Sequence, residues 1–334
     1  MKFTKSILIC GAGSIGKRHT GNFSKLFAYV DIVDINPDRV KEATSKYKIR
    51  NHYLSVSEAL SGQKYDAVVI ATPPHVHKEI AIEVIKNKLN LFIEKPLGMD
   101  ADGWQNLHDN CQKHKLISYV GYSHRFVPYT VKLKELMQKK IIGDVVHANM
   151  RWGSYLPDWH PWEDYRHFYM SKKEQGGGAL MDESHGIDLV RYIIGEIDKV
   201  GAIIDNISDL EMTSDDAAFL TFKMKNGSLI QINFDLSSRA PRVNFEIVGK
   251  EGTIIWDRVE HNLKVFTIKT KKWEVIQFSK EDYLSMYTIQ AKHFYDCIYG
   301  NHKPLIDIKD AIQTQKVIDA AFKSSKTEKL VKID

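Results

Sequence analysis

Ser6-Ile-Leu-Ile-Cys-Gly11-Ala-Gly13-Ser-Ile-Gly16 is the stretch that decides the fold. Its apolar run, Ile7, Leu8 and Ile9, reads as a buried parallel strand and empties straight into G-x-G-x-x-G. Gly11, Gly13 and Gly16 fall where such a strand turns sharply into a helix. A turn of that kind needs backbone without Cβ, and it aims helix N-terminal N–H groups at a pyrophosphate. Ile15, Phe23, Leu26 and Phe27 follow at helical spacing, so the glycines lie between a strand and an amphipathic helix. Gly11, Gly13, Ser14, Ile15 and Gly16 are therefore the expected dinucleotide loop.

The acidic residue that the pattern requires about 20 residues further on is Asp34, at the end of a second apolar run, Tyr29-Val-Asp-Ile-Val-Asp34. A carboxylate there accepts hydrogen bonds from the adenosine ribose of NAD. A 2′-phosphate would face a like charge, a repulsion of roughly 4 kcal/mol at ~4 Å and an effective dielectric of ~20. Arg39, within about a turn of the ribose, softens that repulsion. NAD is expected over NADP.

The chain has 334 residues, enough for two domains, and its 43% hydrophobic and 27% charged residues are ordinary for globular protein. A net charge of +5 is dispersed, with no basic arm or aromatic RNA-binding signature, so no nucleic-acid partner is expected. Cys10, Cys111 and Cys297 are far apart and form no C-x-x-C, which points to neither a disulfide framework nor a metal site. The first strand begins too early for a signal peptide, and no apolar run reaches the ~20 residues of a membrane span. A cytoplasmic protein without membrane contact is expected.

Strand-like and helix-like segments alternate through the first third. Asn36-Pro37 reads as a helix cap with proline at the first helical position. Asp66–Ala71, Leu89–Ile93 and Leu116–Val120 read as strands, with helices from His75 to about Asn87 and from Ala101 to about Lys115. Such alternation gives an α/β fold with a doubly wound parallel sheet over residues 1–122. From 123 to 334 the rhythm changes. A helix near Val127–Lys140 and an alternating strand from Val145 lead into one helical stretch, about Gly178–Ile194. Strand after strand then runs from about Lys199 to Phe278 before two closing helices. This second domain is expected to be α+β, with a large, mostly antiparallel open sheet.

Three further clusters carry chemistry. Thr72-Pro73-Pro74-His75-Val76-His77 follows a parallel strand, where open α/β sheets place ligands. Its two histidines lack the neighbours of a metal site and read as cleft-lining residues. Glu94-Lys95-Pro96 ends the next strand, where a lysine either hydrogen-bonds a substrate hydroxyl or forms a structural salt bridge. Gly176-Gly-Gly-Ala-Leu-Met-Asp182-Glu-Ser-His185-Gly-Ile-Asp188 feeds a glycine run into a helix. His185 lies three residues from both Asp182 and Asp188, on about one helical face, as a histidine oriented by carboxylates for proton transfer would. Helix-capping acids beside a satisfied histidine would give the same pattern.

Taken together, GAGSIGKRH, ATPPHVH, IEKPLG at 93–98, GYSHRF at 121–126 and GGGALMDESHGIDLVRY at 176–192 resemble the Gfo/Idh/MocA oxidoreductases over nearly the whole chain. That resemblance implies a Rossmann domain followed by an α/β domain whose open sheet often mediates oligomer contacts, here a homodimer or homotetramer. It implies hydride exchange between a nicotinamide cofactor and a hydroxyl-bearing carbon of a sugar, nucleotide sugar or cyclitol. Lys95 matches the family's active-site lysine, His185 its proton-transfer histidine and Arg125 an arginine near the substrate. Thr72, Pro73, His77 and Glu94 match residues lining the nicotinamide and ribose. One departure is clear: many members carry an aspartate four residues before the histidine, where this chain has Met181. Asp182, three before, either still reaches the site or caps a helix.

Ser154–Arg166 is dense in aromatics, with Tyr155, Trp159, Trp162 and Tyr165 ahead of Arg166. A substrate-covering loop, an oligomer contact and simple packing all fit it. Under the first reading Tyr155, Trp162 and Arg166 join Lys95, Arg125, Asp182 and His185 at the substrate. A silent dinucleotide-binding regulator, or an enzyme reducing a non-sugar carbonyl or imine, is the competing functional expectation.

Overall fold

Ile7, Leu8 and Ile9 have no exposed surface, because strands of one parallel sheet flank them on both sides. The computed structural model describes residues 4–334, and the elements below are those of the described residues. In the first sheet β1 (Ser6–Cys10), β2 (Tyr29–Val33), β3 (His52–Tyr53), β4 (Ala67–Ile70), β5 (Asn90–Ile93) and β6 (Ser118–Val120) lie in the order β3-β2-β1-β4-β5-β6. Every pairing is parallel, with Ile7 opposite Val30 on one side and Ala67 on the other. The order reverses at β1 and β4, and ligand crevices form at the carboxyl ends of strands at such a switch point.

Helices α1 (Ser14–Phe23), α2 (Pro37–Lys46), α3 (Val56–Gly62), α4 (His77–Lys86) and α5 (Trp104–His114) intervene between these strands. The expected cap is in place: the Asn36 side chain accepts from the backbone N–H groups of Asp38 and Arg39. β3 and α3 have no counterpart in the sequence reading, since two strand residues and a seven-residue helix are too short to establish a period.

After α6 (Pro128–Gln138), a second sheet is built from β7 (Val145–Tyr155), β8 (Ile197–Asp205), β9 (Ala217–Met224), β10 (Leu229–Asp235), β11 (Ser237–Gly249), β12 (Gly252–Asp257), β13 (Asn262–Thr267), β14 (Trp273–Gln277) and β15 (Val331–Lys332). Its order is β14-β13-β12-β11-β7-β10-β9-β8-β15, antiparallel throughout except for the central β7–β10 pair. Alternation sets its two faces. Met150, Trp152, Phe222, Phe234 and Phe245 are buried, while Phe219 and Leu229 point the other way and stay exposed.

The single helical stretch expected over 178–194 is two helices, α7 (Ala179–Asp182) and α8 (His185–Ile193). Glu183, at φ −88° and ψ 18°, breaks the ladder between them. Gly186 sets α8 on the buried sheet face, since a Cβ there would fall 2.5 Å from the Phe234 ring. α9 (Lys280–Leu284), α10 (Met286–Tyr299) and α11 (Ile308–Thr327) follow.

The chain forms two compact units. One takes the chain up to Ser123 together with Tyr287–Gln313, and the other takes His124–Met286 with Thr314–Asp334. Aromatic packing explains why a late segment joins the first unit. Phe294 lies 6.0 Å from Phe23, 5.5 Å from Phe92 and 5.4 Å from Tyr119, between ring centroids. A simple split at 122/123 has no local signal for this return.

Candidate active site

In the first unit the three glycines have separate tasks. Gly11 has φ +100°, and a Cβ there would fall 2.4 Å from the Ala71 carbonyl oxygen. A Cβ on Gly16 would fall 1.9 Å from the Gly11 oxygen, so that glycine is required for helix-to-strand contact. Gly13, the N-cap of α1, would direct a Cβ into open space. A pyrophosphate needs close backbone approach at that middle position. Ser14 is exposed and Ile15 half-buried beside it.

Asp34 is buried, with Oδ2 accepting from the Ala12 N–H at 2.7 Å and Oδ1 from the Asn36 N–H at 2.8 Å. Two backbone donors thus fix a carboxylate at the end of β2, and each oxygen keeps a lone pair for a ribose hydroxyl. Arg39 is exposed on the first turn of α2. At the end of β4, Thr72 and Pro73 are half-buried, and the Thr72 hydroxyl is buried with no protein partner. An orphaned hydroxyl there, with open space at Gly13 and a fixed carboxylate at Asp34, fits a dinucleotide.

His77 lies deeper than its neighbours. It is fully buried, with Nδ1 3.1 Å from the Pro96 carbonyl oxygen and Nε2 2.8 Å from that of Thr72. Burial lowers its pKa, and the neutral ring has a single N–H, which it donates to one of these two carbonyls. His75 is exposed, and no group of three or more metal-ligating side chains gathers among the described residues.

Glu94 is buried beyond β5. Its Oε1 lies 2.6 Å from His19 Nε2, and its Oε2 accepts from the Lys95 N–H at 3.2 Å. The carboxylate occupies the space a Cβ on Gly121 would need, 2.9 Å away. Glu94 is thus fixed on the protein side, and half-buried Lys95 follows it at the strand's carboxyl end. His19 is packed between Phe23 and Phe92, at 5.7 and 5.0 Å between ring centroids.

In the second unit, His185 is the first residue of α8 and is 9% exposed. Asp182 and Asp188 do not share a role beside it. Asp182 ends α7 and accepts from the Tyr169 hydroxyl at 2.7 Å. The helix N-caps are Gly178 and Ser184, so Asp182 is not the N-cap of either helix. Asp188 takes both arms of Arg125, at 2.9 Å from Nε and 2.6 Å from Nη2. Arg125, expected at the substrate, is buried in this bidentate pair, with its guanidinium carbon 4.8 Å from the Tyr192 ring centroid.

The glycine run explains how α7 is seated. A Cβ on Gly177 would fall 2.3 Å from the Tyr169 oxygen, and one on Gly178 would fall 2.2 Å from Asp215 Oδ1. Asp215 then clamps the helix start, accepting from Ala179 N–H through its backbone oxygen at 2.8 Å and from Leu180 N–H through Oδ2 at 2.9 Å. Burial pushes the Asp215 carboxyl up to about 6.

The aromatic segment spans a range of exposure. Trp162 is 77% exposed. The Arg166 guanidinium binds Asp164 at 2.8 Å and Glu211 at 3.3 Å, so its fork is occupied by the chain's own carboxylates. Asp164 is held down to about 2 by that arginine. Tyr155 is covered by Arg239, whose guanidinium carbon lies 3.6 Å from the ring centroid.

Sequence reasoning missed the supporting residues. His19 had a signal, four residues before Phe23 on the buried stripe of α1. Tyr169 and Asp215 had none, because their partners are 13 and 35 residues away.

Comparisons with known proteins match the chain over most of its length. The model of the oxidoreductase family's NAD-binding Rossmann fold matches residues 5–122, and that of its C-terminal alpha/beta domain matches residues 134–333. An uncharacterized oxidoreductase, YrbE, of Bacillus subtilis is 28% identical, with 96% of this chain and 95% of that protein aligned. Myo-inositol 2-dehydrogenase of Thermotoga maritima is 27% identical over 98% of each. Levoglucosan dehydrogenase, solved with NADH and levoglucosan, superposes with a TM-score of 0.87 at 20% identity, over 98% of this chain and 99% of that one. With two family models spanning most of its length and an NAD-binding sheet and loop to match, the chain belongs to the Gfo/Idh/MocA oxidoreductases.

Proposed function

We propose that this protein is an NAD-dependent dehydrogenase of a polyol carbon, its substrate a sugar, nucleotide sugar or cyclitol. The observation that carries the reading is the start of α8, where buried His185 follows an Asp182 whose carboxylate is oriented by Tyr169. When bound, NAD supplies the acceptor for the hydride leaving the substrate carbon. Gly13, Ser14 and the N-terminus of α1 bind its pyrophosphate, Asp34 its adenosine ribose, and the Thr72 hydroxyl and Pro73 line its other end. The fixed Asp34 carboxylate supports NAD over NADP. Lys95 donates a hydrogen bond to the reacting oxygen, His185 accepts the hydroxyl proton, and Asp182 orients the substrate.

The test follows nicotinamide absorbance with NAD, then NADP, against a panel of cyclitols, free sugars and nucleotide sugars. Turnover on one class is expected, with higher kcat/KM for NAD. Lys95→Ala and His185→Ala should each lower kcat by ~10²–10⁴, the scale of lost acid–base catalysis. Near-native turnover in both variants would overturn these roles, and binding of NAD without turnover on any substrate would favour a regulator.

A further inference from the structure

We propose that His124 is a positioning residue for proton transfer, an imidazole in ring contact with His185 that keeps it a neutral proton acceptor. This rests on the assignment of proton transfer to His185. The two rings come from separate elements, His124 from the 3₁₀ turn Ser123–Phe126 and His185 from the start of α8. Their centroids are 4.4 Å apart with planes at 47°, and the side chains are 3% and 9% exposed.

The surroundings make this contact a chemical one as well as a packing one. Trp152 of β7 lies 4.9 Å from the His124 ring and stacks on His185 at 6.3 Å and 12°. Tyr283 of α9 lies 5.7 Å from His124. Charged groups on the surrounding elements include buried Glu183, two residues before His185. Arg258, just after β12, has its guanidinium carbon 5.4 Å from both the Trp152 and Tyr283 centroids, and donates to the Tyr283 hydroxyl at 3.3 Å. Arg125, next to His124, is neutralised by Asp188 on α8. Asp182 is engaged by Tyr169 on the preceding segment.

Two imidazoles in contact, largely shielded from water and with a guanidinium close by, hold one proton far more readily than two. Any proton resting on His124 makes His185 harder to protonate from solvent. His185 therefore meets the substrate hydroxyl as a base over a wider range of pH. Its ring is also packed against a pair of rings in mutual contact, His124 and Trp152.

The test measures the imidazoles directly. Uniformly ¹⁵N-labelled protein saturated with NADH is titrated from pH 5 to 8.5 by long-range ¹H–¹⁵N NMR, with His185→Ala assigning the signal. In native protein the His185 signal should titrate in two coupled steps. In His124→Phe, which keeps a ring but no titrating nitrogen, it should titrate in one step with its midpoint raised by about 0.5–1 unit. His124→Gln is run alongside, and thermal melts identify which variant is fully folded. An unchanged His185 titration in a folded variant would overturn the proposal. The assignment of proton transfer to His185 fails separately, by near-native turnover of His185→Ala, whatever the titration reads.

Discussion

Gly13 and Gly16 belong to one motif but answer to different forces, and substitution separates them. An alanine at Gly16 would place its methyl 1.9 Å from the Gly11 oxygen. That backbone cannot yield cheaply, so G16A should lose roughly 3 kcal/mol of stability, together with cofactor binding. An alanine at Gly13 meets nothing. G13A should fold with a loss within ~1 kcal/mol, yet bind NADH about tenfold or more weakly, because the methyl stands where a phosphate approaches. Paired urea melts and NADH fluorescence titrations check both, and equal NADH affinity for G13A and native protein would refute the phosphate assignment. At this scale the sequence was highly legible where the requirement was local. Gly11, Gly16, Asp34 and the Asn36 cap each depend on neighbours a few residues away or on a known spacing. Glu94 was legible as a position but not in its environment, since His19 lies 75 residues away.

The glycine run before α7 shows the same division between elements. Its composition announced a close approach, yet what it approaches, Tyr169 on one side and Asp215 on the other, was invisible in sequence. The break after Asp182 was equally hidden, because helical periodicity continues across Glu183 and Ser184. Asp215 gives this element a pH signature. Its carboxyl titrates at about 6 in the folded protein, against an ordinary value of 3.8. A group whose folded pKa is raised contributes stability that is fully present below its unfolded pKa and lost as pH rises through the folded one. Native protein should therefore lose up to roughly 3 kcal/mol relative to Asp215→Asn between pH 4 and pH 7. Urea midpoints at pH 4.5 and pH 7 measure the difference, and parallel behaviour of the two proteins would rule out a raised Asp215.

Across the whole molecule, alternation in the second sheet was the most legible long-range feature, and it exposes one face. Ile203 and Phe219 are directly paired on β8 and β9, 73% and 47% exposed, and Leu229 on β10 is 54% exposed. Apolar side chains on an open sheet face support assembly of copies through it. Ile203→Glu with Phe219→Glu should convert a dimer or tetramer to a smaller species in light scattering after size exclusion. A native protein that is already monomeric would end that reading. The division of the chain was the least legible, because it depends on where α10 returns.

That return has a consequence for the protein's birth on the ribosome. Phe294, which packs against Phe23, Phe92 and Tyr119, is translated some 175 residues after the last of them. At ~5–20 residues per second, the nascent Rossmann sheet waits about 10–40 s with that aromatic strip uncovered. The second sheet waits too, since β15 pairs with β8 across some 130 residues of intervening chain. Neither unit can be completed and set aside while the other is translated. The growing chain thus presents a long-lived apolar surface of the sort that holding chaperones recognise, and its yield in a cell should depend on them more than its final stability would suggest.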